Sequence, residues 1–221
     1  MGFKDYFSGQ AENYARYRPR YPEALFEYLA GLVAQRQVAW DCGTGNGQVA
    51  LSLTPYFERV QATDASAAQI AHAFVHPQVQ YQVAPAEAVP LGDRSVDLIT
   101  VGLAIHWFEI ERFYAEVKRV AKPGAILAVW CSGDFLATPE TQRLCEIVQT
   151  YREFLKPWIA PEVALIEAEY QTLPFPFEEL SPPRFQMTAG WRRDQLVGCL
   201  KTWSATQRMM QTQGAQTVAE L

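Results

Sequence analysis

Residues 41–47 read DCGTGNG, an aspartate followed by glycine at every second position, and few chain segments restrict a fold more. A short apolar run, Val38 to Trp40, leads into Asp41, and Val49, Ala50 and Leu53 recur at helical spacing after the last glycine. A second run, Val60 to Thr63, closes on Asp64. The pattern predicts strand, tight turn, helix and strand, with a carboxylate at each strand end. Glycine at 43, 45 and 47 frees the backbone to turn sharply and lets a ligand come close to it.

The same alternation continues. Leu25, Phe26, Leu29 and Leu32 share one side of a helix that starts near Pro22. Ser66 with Gln69 three residues on is a capping pattern for a helix over 67–74. Val79–Val83 and Ser95–Gly102 read as strands joined by a turn-rich connection at 84–94. A helix over 110–120 stops at Lys122-Pro123-Gly124, before an apolar strand from Ala125 to Trp130. Strands and helices in this order predict an α/β fold, a doubly wound, mostly parallel sheet covered on both faces.

After Gly133 the pattern changes. Helices are expected within 138–156, 161–170 and 192–203, a strand at Phe185–Thr188, and an irregular proline-rich stretch between. No internal repeat or low-complexity linker divides the chain. One domain, 1–221, is therefore expected, with a lid-like N-terminal segment at 1–22 and a helical cap inserted at 133–182.

A net charge of -5 argues against a partner bound mainly through phosphates. Cys42, Cys131, Cys145 and Cys199 have no CxxC spacing, so neither a zinc site nor a disulfide framework is expected. The first residues, MGFKDYFSGQ, carry neither a signal pattern nor a membrane-spanning run, which leaves a cytoplasmic protein without membrane partners as the default.

A glycine turn beside an acid-terminated strand suits a nucleoside-containing cofactor, the acid accepting ribose hydroxyls. The spacing DxGxGxG differs from the GxGxxG of pyrophosphate binders. A carboxylate at Asp41 favours a ligand carrying ammonium and sulfonium charge and would repel pyrophosphate in a desolvated pocket.

Six blocks in order, FSGQAENYARYRPRYP, AWDCGTGNGQ, ATDAS, APAEAVPL, VDLITVGLAIHWF and EVKRVAKPGAILAVW, span roughly residues 4–131. On these the chain resembles the class I S-adenosylmethionine-dependent methyltransferases, in the branch that includes trans-aconitate methyltransferase and UbiE-type or "methyltransferase 11" domains. The resemblance implies S-adenosyl-L-methionine as cofactor. It implies Gly43 and Gly45 against the methionine part, Asp41 near its amino group, Asp64 on the ribose and Ala65 near adenine. Ala86 and Glu87 would line the adenine edge, although Pro85 stands where many relatives have aspartate. Thr100, Gly102 and their neighbours would face the sulfonium side.

Two accounts stay open for His106-Trp107: a substrate-facing pair with a catalytic imidazole, or a structural histidine beside a wall. Tyr14 and Arg18 divide likewise between a lid that meets cofactor or substrate and an aromatic latch with a surface ion pair. His72 and His76 read as surface residues. The function expected is methyl transfer to a small organic molecule by in-line displacement, a carboxylic acid among the candidates. The cap adds aromatics with Arg152, Lys156, Arg184, Arg192 and Arg193, which suit a small anionic substrate. The rivals are a methyltransferase of RNA or protein, and a cofactor-binding protein without catalysis. A monomer or a dimer fits equally. Class I methyltransferases are expected to end with a sixth strand, a helix and an antiparallel seventh strand. Residues 185–188 and 192–203 fit the first two, and the final antiparallel strand is not visible in the sequence.

Overall fold

The structure, a computed structural model, describes residues 17–214. Helix α1, Glu23–Leu32, opens behind Pro22 and buries Leu25, Phe26, Leu29 and Ala30, the apolar side that its spacing defines. Strands β1, Val38–Cys42, and β2, Arg59–Asp64, flank the glycine turn and helix α2, Gln48–Leu53. Helix α3, Ala67–Ala71, is shorter than expected; Ser66 caps it, its hydroxyl accepting from the Gln69 amide at 3.2 Å. Strand β3, Val79–Val83, is followed by β4, Val96–Gly102, helix α4, Ile110–Val120, and β5, Ala121–Trp130.

Among the described residues five strands run parallel in the order β3-β2-β1-β4-β5. The order reverses beside β1, between β2 and β4, and in open parallel sheets such a switch point is where ligands bind. One face buries Trp40, Ile99, Val101, Phe113 and Val117; the other buries Phe26, Leu29, Leu53, Val60 and Leu98. β1 and β4 are sealed on both sides, which explains why their apolar residues fall on both faces.

β5 begins at Ala121, not Ala125: Lys122-Pro123-Gly124 lies within it. The register slips there, Val96 facing Ala121 while Leu98 faces Ile126, so the breaker residues form an irregularity in an edge strand, where proline is tolerated. Lys122 is held by Asp97 at 2.8 Å, and Asp97 also accepts the Gln37 and Val38 amides. One buried carboxylate thus joins the starts of β1, β4 and β5.

The 84–94 connection contains no helix. Arg119 on α4 fastens it instead, donating to the Val89 and Leu91 carbonyls, to Asp93 and to Glu116 at 2.7–3.0 Å. Glu116 in turn accepts the Val89 amide at 2.7 Å, and these donors hold its carboxyl below the usual range.

Beyond β5 lie α5, Gln142–Leu155, a 3-10 turn at Pro161–Val163 leading into α6, Ala164–Glu167, then α7, Arg193–Lys201, and α8, Ser204–Gln213. The expected helix over 161–170 is thus a short turn and a half. α8 lies beyond the last helix that residue spacing predicts. Phe185–Thr188 forms no strand: Phe185 packs on Tyr28 at 5.7 Å between centroids, an aromatic anchor for an irregular segment. Leu155, Ala205 and Met209 build a small separate core with Tyr151, Trp158 and Trp203.

Candidate cofactor and acceptor site

The glycine turn lies at the carboxyl ends of β1 and β2. Gly43, Gly45 and Gly47 all have positive φ, at 68, 56 and 86°. Two of them are also boxed in. A Cβ on Gly43 would stand 2.6 Å from that of Ala104, and one on Gly47 would stand 2.1 Å from the Tyr81 hydroxyl. Gly45 faces open ground, with nothing nearer than 3.9 Å. It is the point where a ligand can meet bare backbone.

Four amides of this turn are spent inside the protein. Gly43 and Thr44 both donate to the Thr63 carbonyl at 2.9 and 3.0 Å, Gly45 to Asp64 at 2.8 Å, and Gly47 to the Thr44 carbonyl at 2.9 Å. At the start of α2 the Ala50 amide donates to Asp41 at 3.1 Å. These N–H groups fix the shape of the turn.

Asp41 is 1% exposed. Its carboxyl accepts the hydroxyls of Thr44 at 2.5 Å and Thr100 at 2.9 Å besides the Ala50 amide. Burial pushes its pKa up to about 7 despite these donors, and the charge of Asp64 adds to the rise. The site thus holds a carboxyl that ionises fully only when something positive arrives or the pH rises. Thr100 serves that carboxyl from a fully buried position in β4.

Asp64 is half-buried at the end of β2, one oxygen on the Gly45 amide and the other on that of Ser66, both at 2.8 Å. Two backbone donors fix the plane of the carboxylate, and an ionised carboxylate has acceptor capacity beyond two bonds. Ala65 is half-buried beside it. Open glycine backbone, an oriented strand-end acid and a buried carboxyl suited to a positive charge together fit a cationic nucleoside.

Ala86 is buried in the connection after β3. Glu87 is committed elsewhere in part: its Oε1 accepts the Glu109 amide at 2.7 Å, at the start of α4. Gly102, at the end of β4, lies under the indole of Trp130, 3.1 Å from where a Cβ would stand. Tyr21 meets that indole edge-on at 5.5 Å. Trp130 is therefore wall.

His106 and Trp107 lie in a 3-10 turn, Ile105–Trp107, with ring centroids 4.7 Å apart. Nδ1 of His106 is 2.9 Å from the hydroxyl of Tyr170, a cap residue that no sequence pattern singles out. Burial lowers the imidazole pKa to about 4, the nearby Glu162 offsetting this only in part. The ring is therefore neutral at pH 7.

Arg18 lies against the last helices, its Nε donating to the Thr202 hydroxyl at 2.9 Å, while the ring of Tyr17 fills the space above Gly198. Tyr14 lies outside the described residues. Arg152, Lys156, Arg184 and Arg192 each face a carboxylate: Asp134 and Glu167, Glu153, Glu169 and Asp194 respectively. Among the described residues no group of acids, histidines and cysteines is arranged to hold a metal, and no helix is long and apolar enough to cross a membrane.

Comparison with known proteins agrees with this geometry. The family described as methyltransferase domain matches residues 40–129. A Dictyostelium discoideum protein named as a methyltransferase is 30% identical over 204 residues, 91% of this chain and 78% of that protein. An uncharacterized methyltransferase of Mycobacterium tuberculosis is 34% identical over 131 residues, 58% of this chain and 53% of that one. A solved structure named as a type II methyltransferase, from Anaeromyxobacter dehalogenans, superposes with a TM-score of 0.81 at 43% identity, covering 92% of this chain and 86% of that one.

Proposed function

Because the chain belongs to the class I S-adenosylmethionine-dependent methyltransferases, we propose that it methylates a small organic molecule at an oxygen, with a carboxylate as the first candidate. When bound, the cofactor supplies an electrophilic methyl group on a sulfonium. The single observation that carries the cofactor assignment on this chain's own residues is the pair of strand-end acids at the glycine turn, Asp41 buried behind it and Asp64 oriented by the Gly45 and Ser66 amides. In our reading Asp64 grips the ribose, Gly43 and Gly45 lie along the methionine part, and Asp41 answers its positive charge through the turn it organises. Ala65, Ala86 and Glu87 line the adenine side, and Gly102 with Trp130 closes the sulfonium side.

His106 and Trp107 face the acceptor. A neutral imidazole with a depressed pKa is a weak base, so His106 acts by hydrogen bonding an oxygen that is already ionised. A carboxylate meets that requirement. Arg152, Arg184 and Arg192 are engaged by neighbouring acids, which favours an acceptor of low charge over a polyacid or RNA. Arg18 and Tyr17 then join the start of the described chain to the last helices through Thr202 and Gly198. A single domain with a cap over 133–182 suits a small enclosed substrate.

The test has two stages. Labelled cofactor should bind the intact protein, and Asp64→Ala should abolish binding. Methyl transfer should then appear in a screen of small carboxylic acids, phenols and amines. Absence of cofactor binding overturns the cofactor assignment, and transfer confined to RNA or protein overturns the acceptor assignment.

A further inference from the structure

The contact between the cap and the His106 ring holds more information than a packing interaction does. Tyr170 Oη lies 2.9 Å from Nδ1, and the two rings stack with centroids 6.1 Å apart and planes 27° from parallel. Tyr170 is presented by an unusual backbone. Glu169 and Tyr170 both take left-handed conformations, φ +48 and +60°, although neither is glycine. Left-handed residues with a Cβ are disfavoured, and in succession they persist only where surrounding contacts hold them. Here the Glu169 amide donates to the Ile166 carbonyl, the Tyr170 amide to Leu165, and Arg184 approaches the Glu169 carboxylate at 3.4 Å. Strain of this kind collects at functional sites, and its product here is the aim of one phenol.

From this geometry we infer that Tyr170 is a positioning residue: its hydroxyl donates to Nδ1 of His106, fixes the Nε2–H tautomer, and so presents a hydrogen-bond donor to the acceptor substrate. A phenol is the stronger acid of the two partners and a neutral imidazole nitrogen the better base, so the proton of this bond belongs to oxygen. The other ring nitrogen then carries hydrogen, since a neutral imidazole has one donor and one acceptor. Nε2 has no hydrogen-bond partner among the described residues. The charge that acts on the ring is that of Glu162, from the 3-10 turn that packs beside it. A donor at Nε2 selects substrates that arrive with an oxygen lone pair, such as a carboxylate or a phenolate. It disfavours amines that must first shed a proton. This inference rests on the reading of His106 as substrate-facing.

Nitrogen-15 NMR of histidine-labelled full-length protein without cofactor, at pH 7.5, reads the tautomer directly. The chain has three histidines, and His106→Gln assigns the signal in question. His72 is an internal reference, because its Nδ1 lies 2.8 Å from the Ala68 carbonyl and must carry hydrogen to bond it. His106 should show the opposite tautomer, with hydrogen on Nε2. Tyr170→Phe, which keeps the ring, should convert it to a mixture. In the transfer assay the same variant should lower kcat/KM for the acceptor by about tenfold, the cost of one misdirected hydrogen bond, while cofactor affinity stays within about twofold. An Nδ1–H signal in the parent protein, or an unchanged spectrum in Tyr170→Phe, overturns the inference. If the tautomer behaves as expected but His106→Gln transfers methyl groups at the parent rate, the substrate-facing role falls while the Tyr170 bond stands.

Discussion

The ring of Tyr81 occupies the space into which any side chain on Gly47 would project, its hydroxyl 2.1 Å from that Cβ position. β3 therefore supports the glycine turn from beneath, and glycine is required at 47 for two separate reasons, the contact and a φ of +86°.

Gly47→Ala should destabilise the protein by about 2–4 kcal/mol, combining left-handed strain with a collision. Adding Tyr81→Ala removes the collision but not the strain. The double variant should recover part of the loss relative to the sum of the single changes. Urea denaturation of all four forms gives the coupling; strict additivity would mean that the two positions do not meet.

Asp41 makes stability depend on pH in a defined direction. Its carboxyl titrates near 7 in the fold, against about 3.9 in an unfolded chain. The unfolded chain gives up its proton first, so the fold loses stability as pH rises from about 4 to about 7, and the loss levels off above that. Asp41→Asn lacks this dependence. Relative to the parent, it should gain about 2 kcal/mol or more between pH 5 and pH 8 in cofactor-free denaturation. Equal differences at the two pH values would show that Asp41 ionises as an ordinary carboxylate.

Removing Arg119 should cost about 2–4 kcal/mol, because Arg119→Met strands the largely buried Glu116 carboxylate and releases the Val89 and Leu91 carbonyls. Arg119→Lys should not restore the loss, since one ammonium cannot reach all four acceptors. Hydrogen exchange at 89–95 should quicken in both variants. Protection equal to the parent's would mean that the connection is held by packing alone.

Asp97→Ala should cost about 3–5 kcal/mol, leaving the half-buried Lys122 without its buried partner and the Gln37 and Val38 amides without an acceptor. Asp97→Asn, which keeps one acceptor, should cost less. A smaller loss for alanine than for asparagine would exclude this role.

The sheet and the turn are legible because β1, β2 and β4 carry short apolar stretches bounded by acids or glycine, and the glycines are spaced as a turn demands. The capping pair Ser66 and Gln69 is legible for the same local reason. Other features depend on contacts between distant parts of the chain. Nothing around residue 119 signals that one guanidinium replaces a crossover helix, and nothing around residue 170 signals that a left-handed pair aims a phenol at His106. Lys122-Pro123-Gly124 reads as a breaker, yet the unpaired side of an edge strand accommodates it. Phe185–Thr188 has the composition of a strand, but aromatic packing on Tyr28 engages it before any ladder does. Within the site, Asp64 stands out by its place at a strand end. The engagement of Asp41 by Thr44 and Thr100 needs the fold, because Thr100 belongs to another strand.

The turn spends the amides of Gly43, Thr44, Gly45 and Gly47 on its own neighbours, so its shape does not wait for a ligand. A bend already built asks no ordering of the chain from the molecule that arrives. Binding energy is then left for the walls of the cleft, where the acceptor is chosen.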